Sequence, residues 1–360
     1  MTFSQSNYLM IQKLLWSFVF CFLFSSMLYS QEEITIEKIS SRIFSNRPAS
    51  LGIIGDTADV HTTVTPGIVL MGGGGDVDDA IKWMIQRSGG GNVVIIRASG
   101  TDAYNPYMFK LGKVASVETL KIDNRDLAEN EEVARIIRNA EMLFIAGGDQ
   151  SVYMKSWKGT KTNEAINYLL QIKKVPVGGT SAGCAILGSI YYSGEGSSAV
   201  SKDVLMDPYH KNVTVYQNDF LKAPYLHNVI TDQHYVARNR QGRHVVFMSR
   251  IIKDWNIYPN GIAVDERTAV CIDEKGMATV FGKSKAYFIK TNRSRSPELT
   301  EAEKPMQWKA KNKALQVYEM QATENGNGMF SIKKFKPQKN AFINNQWWWV
   351  ENGELKTQNF

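Results

Sequence analysis

Short, unbroken apolar runs alternate along the first half of the chain with longer stretches in which apolar residues recur every three or four positions. The runs Gly67–Met71, Asn92–Arg97, Glu141–Ala146 and the stretch opening at Val175 read as strands buried on both faces, because no polar residue marks an outward side. The intervening stretches Asp79–Gln86, Ala103–Leu111, Glu129–Asn139 and Thr162–Lys173 carry helical spacing. Asp78 or Asp79 is expected to cap the first of these helices. Strands alternating with amphipathic helices predict an α/β fold, a parallel sheet with helices on both faces. Farther on, Asn228–His234 reads as a strand, Gly242–Trp255 as a helix, and Gly261–Glu266 with Thr268–Asp273 as a strand–turn–strand pair. Thr279–Gly282 and Lys285–Ile289 continue as strands, and residues 185–228 read as an irregular excursion.

Three glycine-rich segments follow three of the strands: residues 72–75, 147–148 and 179–183. In a parallel sheet ligands gather at the carboxyl ends of strands, so these loops are expected to converge on one edge. Gly179-Thr180-Ser181-Ala182-Gly183 fits Gly-x-Ser-x-Gly between a strand and a helix, the setting of an exposed nucleophilic serine. The tetraglycine segment lacks the Lys-Ser/Thr of a phosphate-binding P-loop and does not complete Gly-x-Gly-x-x-Gly. Close backbone approach to a small substrate is its expected use.

Composition narrows the setting. The chain has 360 residues, and its 43% apolar content is enough for a sizeable core. The formal charge of +7 is spread without a Lys/Arg block, so nucleic acid is not indicated. Lys13 precedes an apolar run from Leu14 to Leu28 and a polar start after Ser30, the layout of a secretory signal peptide. The run is short for a membrane span. The expected organisation is a signal peptide at 1–30, a lead-in at 31–66 with an edge strand near Ile34–Ile39, a catalytic α/β domain at 67–290 and a Trp-containing C-terminal extension at 291–360. A secreted protein, periplasmic or extracellular, with no membrane attachment after cleavage follows from that layout. Beyond the leader only Cys184 and Cys271 remain, too few for a disulfide framework. No close His/Cys/Asp spacing suggests a metal site, and no cofactor is expected.

A serine nucleophile needs a base, and the base an orienting acid. Of His61, His210, His227, His234 and His244, only His234 ends a predicted strand, which puts it on the serine's edge of the sheet. The residues around it carry a resemblance. Gly147-Gly-Asp-Gln150, the serine pentapeptide, Thr231-Asp-Gln-His-Tyr235 followed by Arg238, Arg240 and Arg243, and Gly261–Ala269 occur in one order across roughly 68–289. Together they resemble the cyanophycinase and dipeptidase E-like serine peptidases.

That resemblance implies a flavodoxin-like sheet of the class I glutamine amidotransferase type, with Ser181 as nucleophile, His234 as base and Glu266 as acid. Asp265 is the neighbouring alternative for the acid. Under the hydrolase order Ser…acid…His, Glu195, Asp203 or Asp219 would serve. Asp149 and Ala182 are placed at an oxyanion hole. Gln150, Asp232, Gln233, Arg238, Arg240 and Arg243 are matched to substrate-binding positions. The implied substrate is an aspartyl peptide or cyanophycin-like polymer cut at β-aspartyl bonds, and the implied assembly a homodimer. Isoaspartyl or α-aspartyl dipeptides, and a non-catalytic binding role for the same scaffold, are the alternatives. The long 185–228 excursion, Cys184 after the pentapeptide and the tail beyond 291 depart from the family pattern.

Overall fold

The computed structural model describes residues 47–338 and 343–360. The leader at 1–30 and the strand expected at Ile34–Ile39 lie outside the described residues. From Ala49 to Phe360 the chain forms one compact unit.

The strands are, in chain order, β1 (Ser50–Gly55), β2 (Gly67–Met71), β3 (Asn92–Arg97), β4 (Ser116–Lys121), β5 (Met142–Ile145), β6 (Pro176–Thr180), β7 (Ile190–Tyr192), β8 (Val215–Gln217) and β9 (Val229–Gln233). They continue as β10 (Asn260–Val264), β11 (Thr268–Ile272), β12 (Met277–Gly282), β13 (Lys285–Lys290), β14 (Leu315–Gln321), β15 (Asn327–Ser331), β16 (Lys336–Pro337), β17 (Ile343–Glu351) and β18 (Glu354–Asn359). One sheet runs β1-β4-β3-β5-β6-β2-β11-β12-β15-β16 and the other β18-β17-β14-β13-β10-β9-β7-β8.

The heart of the first sheet, β4-β3-β5-β6-β2, is parallel throughout. Its strands bury both faces, and alternate residues part company accordingly. Val69, Met71, Val93, Ile95, Met142 and Phe144 share one core with Ile81 and Met84 of the helix Asp78–Arg87. Ile68, Leu70, Val94, Ile96, Leu143 and Ile145 face the opposite core with Ile136, Ile137, Trp157 and Ile166 from three other helices. That second core also takes Ile262, Val264, Phe288 and Met320, so it is the layer between the two sheets. The second sheet turns its other face, with Ile230, Ala263, Ile289 and Val317, onto Val245, Val246 and Ile251 of the helix Gln241–Trp255.

Three sequence expectations change. The helix Asp78–Arg87 has Val77 at its N-cap without a side-chain cap, and Asp78 and Asp79 sit inside its first turn. β4, Ser-Val-Glu-Thr-Leu-Lys, is a strand that polar residues concealed. The segments Gly261–Glu266 and Thr268–Asp273 do not pair with one another. β10 lies between β9 and β13 in the second sheet, while β11 joins β2 in the first. The three residues between them carry the chain from one sheet to the other.

The C-terminal segment is woven into both sheets. β14 pairs with β13, β17 with β14 and β18 with β17, while β15 pairs with β12. Of the three consecutive tryptophans, Trp348 is fully buried beside Tyr287. Trp347 is stacked on Phe360 at 4.8 Å, with the Arg295 guanidinium 4.6 Å from its ring. Cys184 and Cys271 are both buried and unbridged.

Candidate active site

The glycine loops following β2, β5 and β6 do meet at one edge of the first sheet. Ser181 closes β6 and stands before a one-turn helix, Ala182–Ala185. Its φ is +52°, a strained conformation for a residue with a Cβ. The Ser181 N–H donates to Met71 O at 3.0 Å, which pins the turn to the end of β2. A side chain at Gly147 would begin 3.2 Å from the Ser181 Cβ, so the 147–148 loop lies directly beside the hydroxyl.

His234 comes from the second sheet, just past β9, with φ +47°. Its N–H donates to Gly72 O at 2.9 Å. Glu266 lies in the passage between β10 and β11, where the neighbouring Arg267 N–H donates to Gly73 O at 2.8 Å. The Ser181 Oγ is 2.8 Å from His234 Nε2, and His234 Nδ1 is 2.6 Å from Glu266 Oε1. Hydroxyl, imidazole and carboxylate thus form one hydrogen-bonded chain. The tautomer that suits it carries the proton on Nδ1, donated to Glu266, and leaves Nε2 to accept from the serine. Burial holds the His234 pKa below its ordinary value, against the opposing bond from Glu266, so the ring is neutral near pH 7.

The tetraglycine loop is the floor of this arrangement. A Cβ on Gly73 would lie 2.5 Å from the His234 ring, and one on Gly74 would lie 2.5 Å from the Glu266 carboxylate. The backbone of this loop approaches the His234 ring and the Glu266 carboxylate closely.

The other anticipated residues divide into three groups. Asp265 turns away from Glu266, on the opposite side of the passage between β10 and β11. Its carboxylate accepts from the Val236 and Ala237 N–H groups at 3.0 and 3.1 Å and from Ser284 Oγ at 2.7 Å, fixing the turn after His234. Glu195 and Asp219, the acids of the alternative order, bond Tyr216 and Tyr191 instead of the histidine. Asp203 lies in the first turn of the helix Ser201–Met206.

Of the residues expected around a substrate, Asp232 and Arg243 are a correction. They are 2% and 1% exposed and clamp one another through two hydrogen bonds, so neither offers a free group to a ligand. Burial alone would raise the Asp232 pKa, but the Arg243 charge overcomes it and holds the carboxyl below its ordinary value. Arg240 is also buried and donates to Gln233 through both backbone and side-chain oxygens. Burial pulls its pKa down to about 10. Arg238 alone of the three arginines is exposed, with Nε 3.9 Å from Glu266 Oε1. Asp149 caps the helix Gln150–Trp157 through the Ser151 N–H at 2.9 Å, and Gln150 is that helix's first residue. Ala182 opens the helix after the serine.

Sequence reasoning missed Asp76. Its carboxylate accepts from Tyr104 Oη at 2.9 Å and from the hydroxyl of Thr180, the residue before the serine. Burial raises its pKa. Asp76 directly follows the tetraglycine loop, so it ties that loop to the serine turn. The only signal in the sequence is an acid ending a glycine run before a helix.

With this geometry in place, residues 68–280 match the family model for peptidase family S51. The chain belongs to that family. The cyanophycinase of Trichormus variabilis is 27% identical over 175 residues, 48% of this chain and 53% of that protein. The cyanophycinase of Geminocystis herdmanii is 25% identical over 184 residues, 51% of this chain and 61% of that one. The matched part is therefore less than two thirds of either relative. A peptidase from an acI-B1 actinobacterium aligns in structure with a TM-score of 0.47 at 15% identity, over 63% of this chain and 91% of that one. A putative peptidase E from Listeria monocytogenes gives 0.37 at 18%, over 61% and 100%.

Proposed function

We propose that this protein is a secreted serine peptidase that hydrolyses β-aspartyl isopeptide bonds through Ser181, His234 and Glu266. The observation that carries the reading is the unbroken chain Ser181–His234–Glu266, with contacts of 2.8 and 2.6 Å. In the proposed cycle His234 takes the hydroxyl proton as Ser181 Oγ attacks the amide carbonyl. Glu266 balances the imidazolium that forms. The N–H groups of Ala182 and Asp149, which begin a helix and cap one beside the hydroxyl, are the proposed oxyanion donors. His234 then gives its proton to the leaving amine, and water releases the acyl group by the same route reversed.

The substrate part of the reading rests on the cyanophycinases among the relatives and on Arg238. An exposed guanidinium beside the acid suits the extra carboxylate that a β-linked aspartyl residue presents. Gln150 is the proposed second contact. Gln233, Arg240, Asp232 and Arg243 would act behind them by holding the His234 segment. The leader composition at 1–30 supports export, and the homodimer is carried over from the resemblance alone.

The test is to incubate the purified protein with cyanophycin, β-aspartyl-arginine peptides and α-aspartyl peptides and to identify the products. Release of β-aspartyl-arginine from the polymer is expected, and Ser181→Ala is expected to lose about 10³-fold or more in kcat. Full activity in Ser181→Ala would remove the nucleophile from the scheme. Cleavage confined to α-aspartyl peptides would remove the isopeptide specificity.

A further inference from the structure

At the edge of the first sheet opposite Ser181, the core between the two sheets comes to the surface in a pocket of about 260 Å³. β2 and β6 run in parallel from here, Gly67 beside Pro176, to Gly72 and Ser181 past their far ends. The length of those strands puts roughly 15 Å between the pocket and the hydroxyl. The floor is apolar: Ile68, Leu170, Val175 and Ile272, all buried and all members of that core. Pro66, Pro224 and the Tyr225 ring complete the walls. The volume is just below the roughly 300–1,000 Å³ of sites for drug-sized ligands. A molecule the size of one amino acid fits, and a peptide does not.

The rim is polar and mostly engaged. Arg87 Nη1 donates to Pro66 O and to Glu274 Oε2, both at 2.8 Å, so the Glu274 charge is answered. Tyr225 Oη donates to Glu274 O, and the Gln171 amide donates to Lys222 O. These bonds tie the entry to β2, the 185–228 excursion and the turn after β11 around one opening, which is therefore preformed.

Two rim groups of opposite charge remain. The Lys174 ammonium has no hydrogen bond or ion pair among the described residues. Lys174 is held at φ +58° with its N–H donating to Leu169 O, so the side chain leaves from a fixed point. Asp273 accepts from the Lys275 and Met277 N–H groups at 2.9 and 2.7 Å. Both bonds use Oδ1, which leaves Oδ2 unengaged among the described residues. A cation and an anion set apart over one apolar floor match a small zwitterion. We propose that this pocket binds a free α-amino acid with an apolar side chain. Its ammonium pairs with Asp273, its carboxylate with Lys174, and its side chain packs on Ile68, Val175 and Ile272. The site is separate from the reacting centre and does not depend on the peptidase reading.

Titration calorimetry on the purified protein tests this with three ligands: L-leucine, isocaproate, which lacks the ammonium, and isoamylamine, which lacks the carboxylate. Leucine is expected to bind about ten-fold or more tightly than either, the worth of one charge-assisted hydrogen bond. Lys174→Met keeps the stem; it is expected to weaken leucine binding about ten-fold and to leave isoamylamine unchanged. Asp273→Asn keeps an oxygen for the turn; it is expected to weaken leucine equally and to leave isocaproate unchanged. Both positions are on the rim, so unliganded melting temperatures are expected to match the wild type. No leucine binding, equal affinity for the three ligands, or leucine affinity that survives both substitutions would overturn the proposal. The ligand series on the wild type decides the question even where a variant fails to fold.

Discussion

Ser181 and His234 both hold left-handed backbone angles, which cost roughly 1–3 kcal/mol each outside glycine. Hydrogen bonds to Met71 and Gly72 hold them there. Gly73→Ala is expected to push the imidazole off line and cut kcat about 10²-fold, since small misplacements of reacting groups cost that much. Mass spectrometry after treatment with a sulfonyl fluoride would report the same loss as slower labelling of Ser181. Asp76→Asn should weaken the ties to Thr180 and Tyr104. It is expected to lower kcat about ten-fold with KM within about two-fold, because its effect passes through the serine turn. The His234 pKa lies below its ordinary 6.5, so activity on the acid side should rise along a limb below that value. Glu266→Gln removes the carboxylate charge that, with its hydrogen bond, opposes this shift. The limb is then expected to move still lower while kcat falls by up to about 10⁴-fold. Ser181 and His234 were legible because a pentapeptide and a strand end announce them. Asp76 was not, since Thr180 and Tyr104 come to it only through the fold.

Among the elements, the passage between β10 and β11 was misread as a pairing turn. Two apolar strands separated by three residues look like a hairpin from sequence, because which sheet each joins is decided by distant partners. The passage places Asp265 and Glu266 back to back, one holding the turn after His234 and the other its ring. Asp265→Ala leaves two backbone N–H groups and a serine hydroxyl unpaired. It is expected to cost about 2–4 kcal/mol in unfolding free energy, summed over the lost bonds. Amide hydrogen exchange should quicken at Val236 and Ala237 before the rest of the sheet responds. β4 escaped notice for the opposite reason: Ser116, Glu118 and Thr119 are polar yet buried, and a pattern of apolar runs passes over them.

Across the whole molecule, the parallel half was readable because unbroken apolar runs admit few other arrangements. Of the second sheet, β9, β10 and β13 were readable; β7 and β8 have three residues each and its C-terminal members are polar at the edge, so these were not. Behind His234 lies a buried polar layer in which Asp232 and Arg243 answer one another. Arg243→Ala strands the Asp232 carboxylate and is expected to cost about 3–5 kcal/mol, read as a fall in denaturant midpoint. His244 is in the same layer, and burial pulls its pKa down to about 4 from 6.5. The unfolded chain therefore binds a proton that the folded chain refuses between those values. Stability should fall as pH drops through that window, by an amount on the order of 2–3 kcal/mol, visible as a declining melting temperature that His244→Gln flattens. The serine arrives on one sheet, the histidine on the other, and the acid on the strand of chain thrown between them. A ribosome-bound chain that has emerged only as far as β6 and Ser181 holds the proposed nucleophile with nothing to activate it. The enzyme would thus be its own latch during synthesis, and two fragments parted within residues 235–259 should be silent alone and active only when mixed.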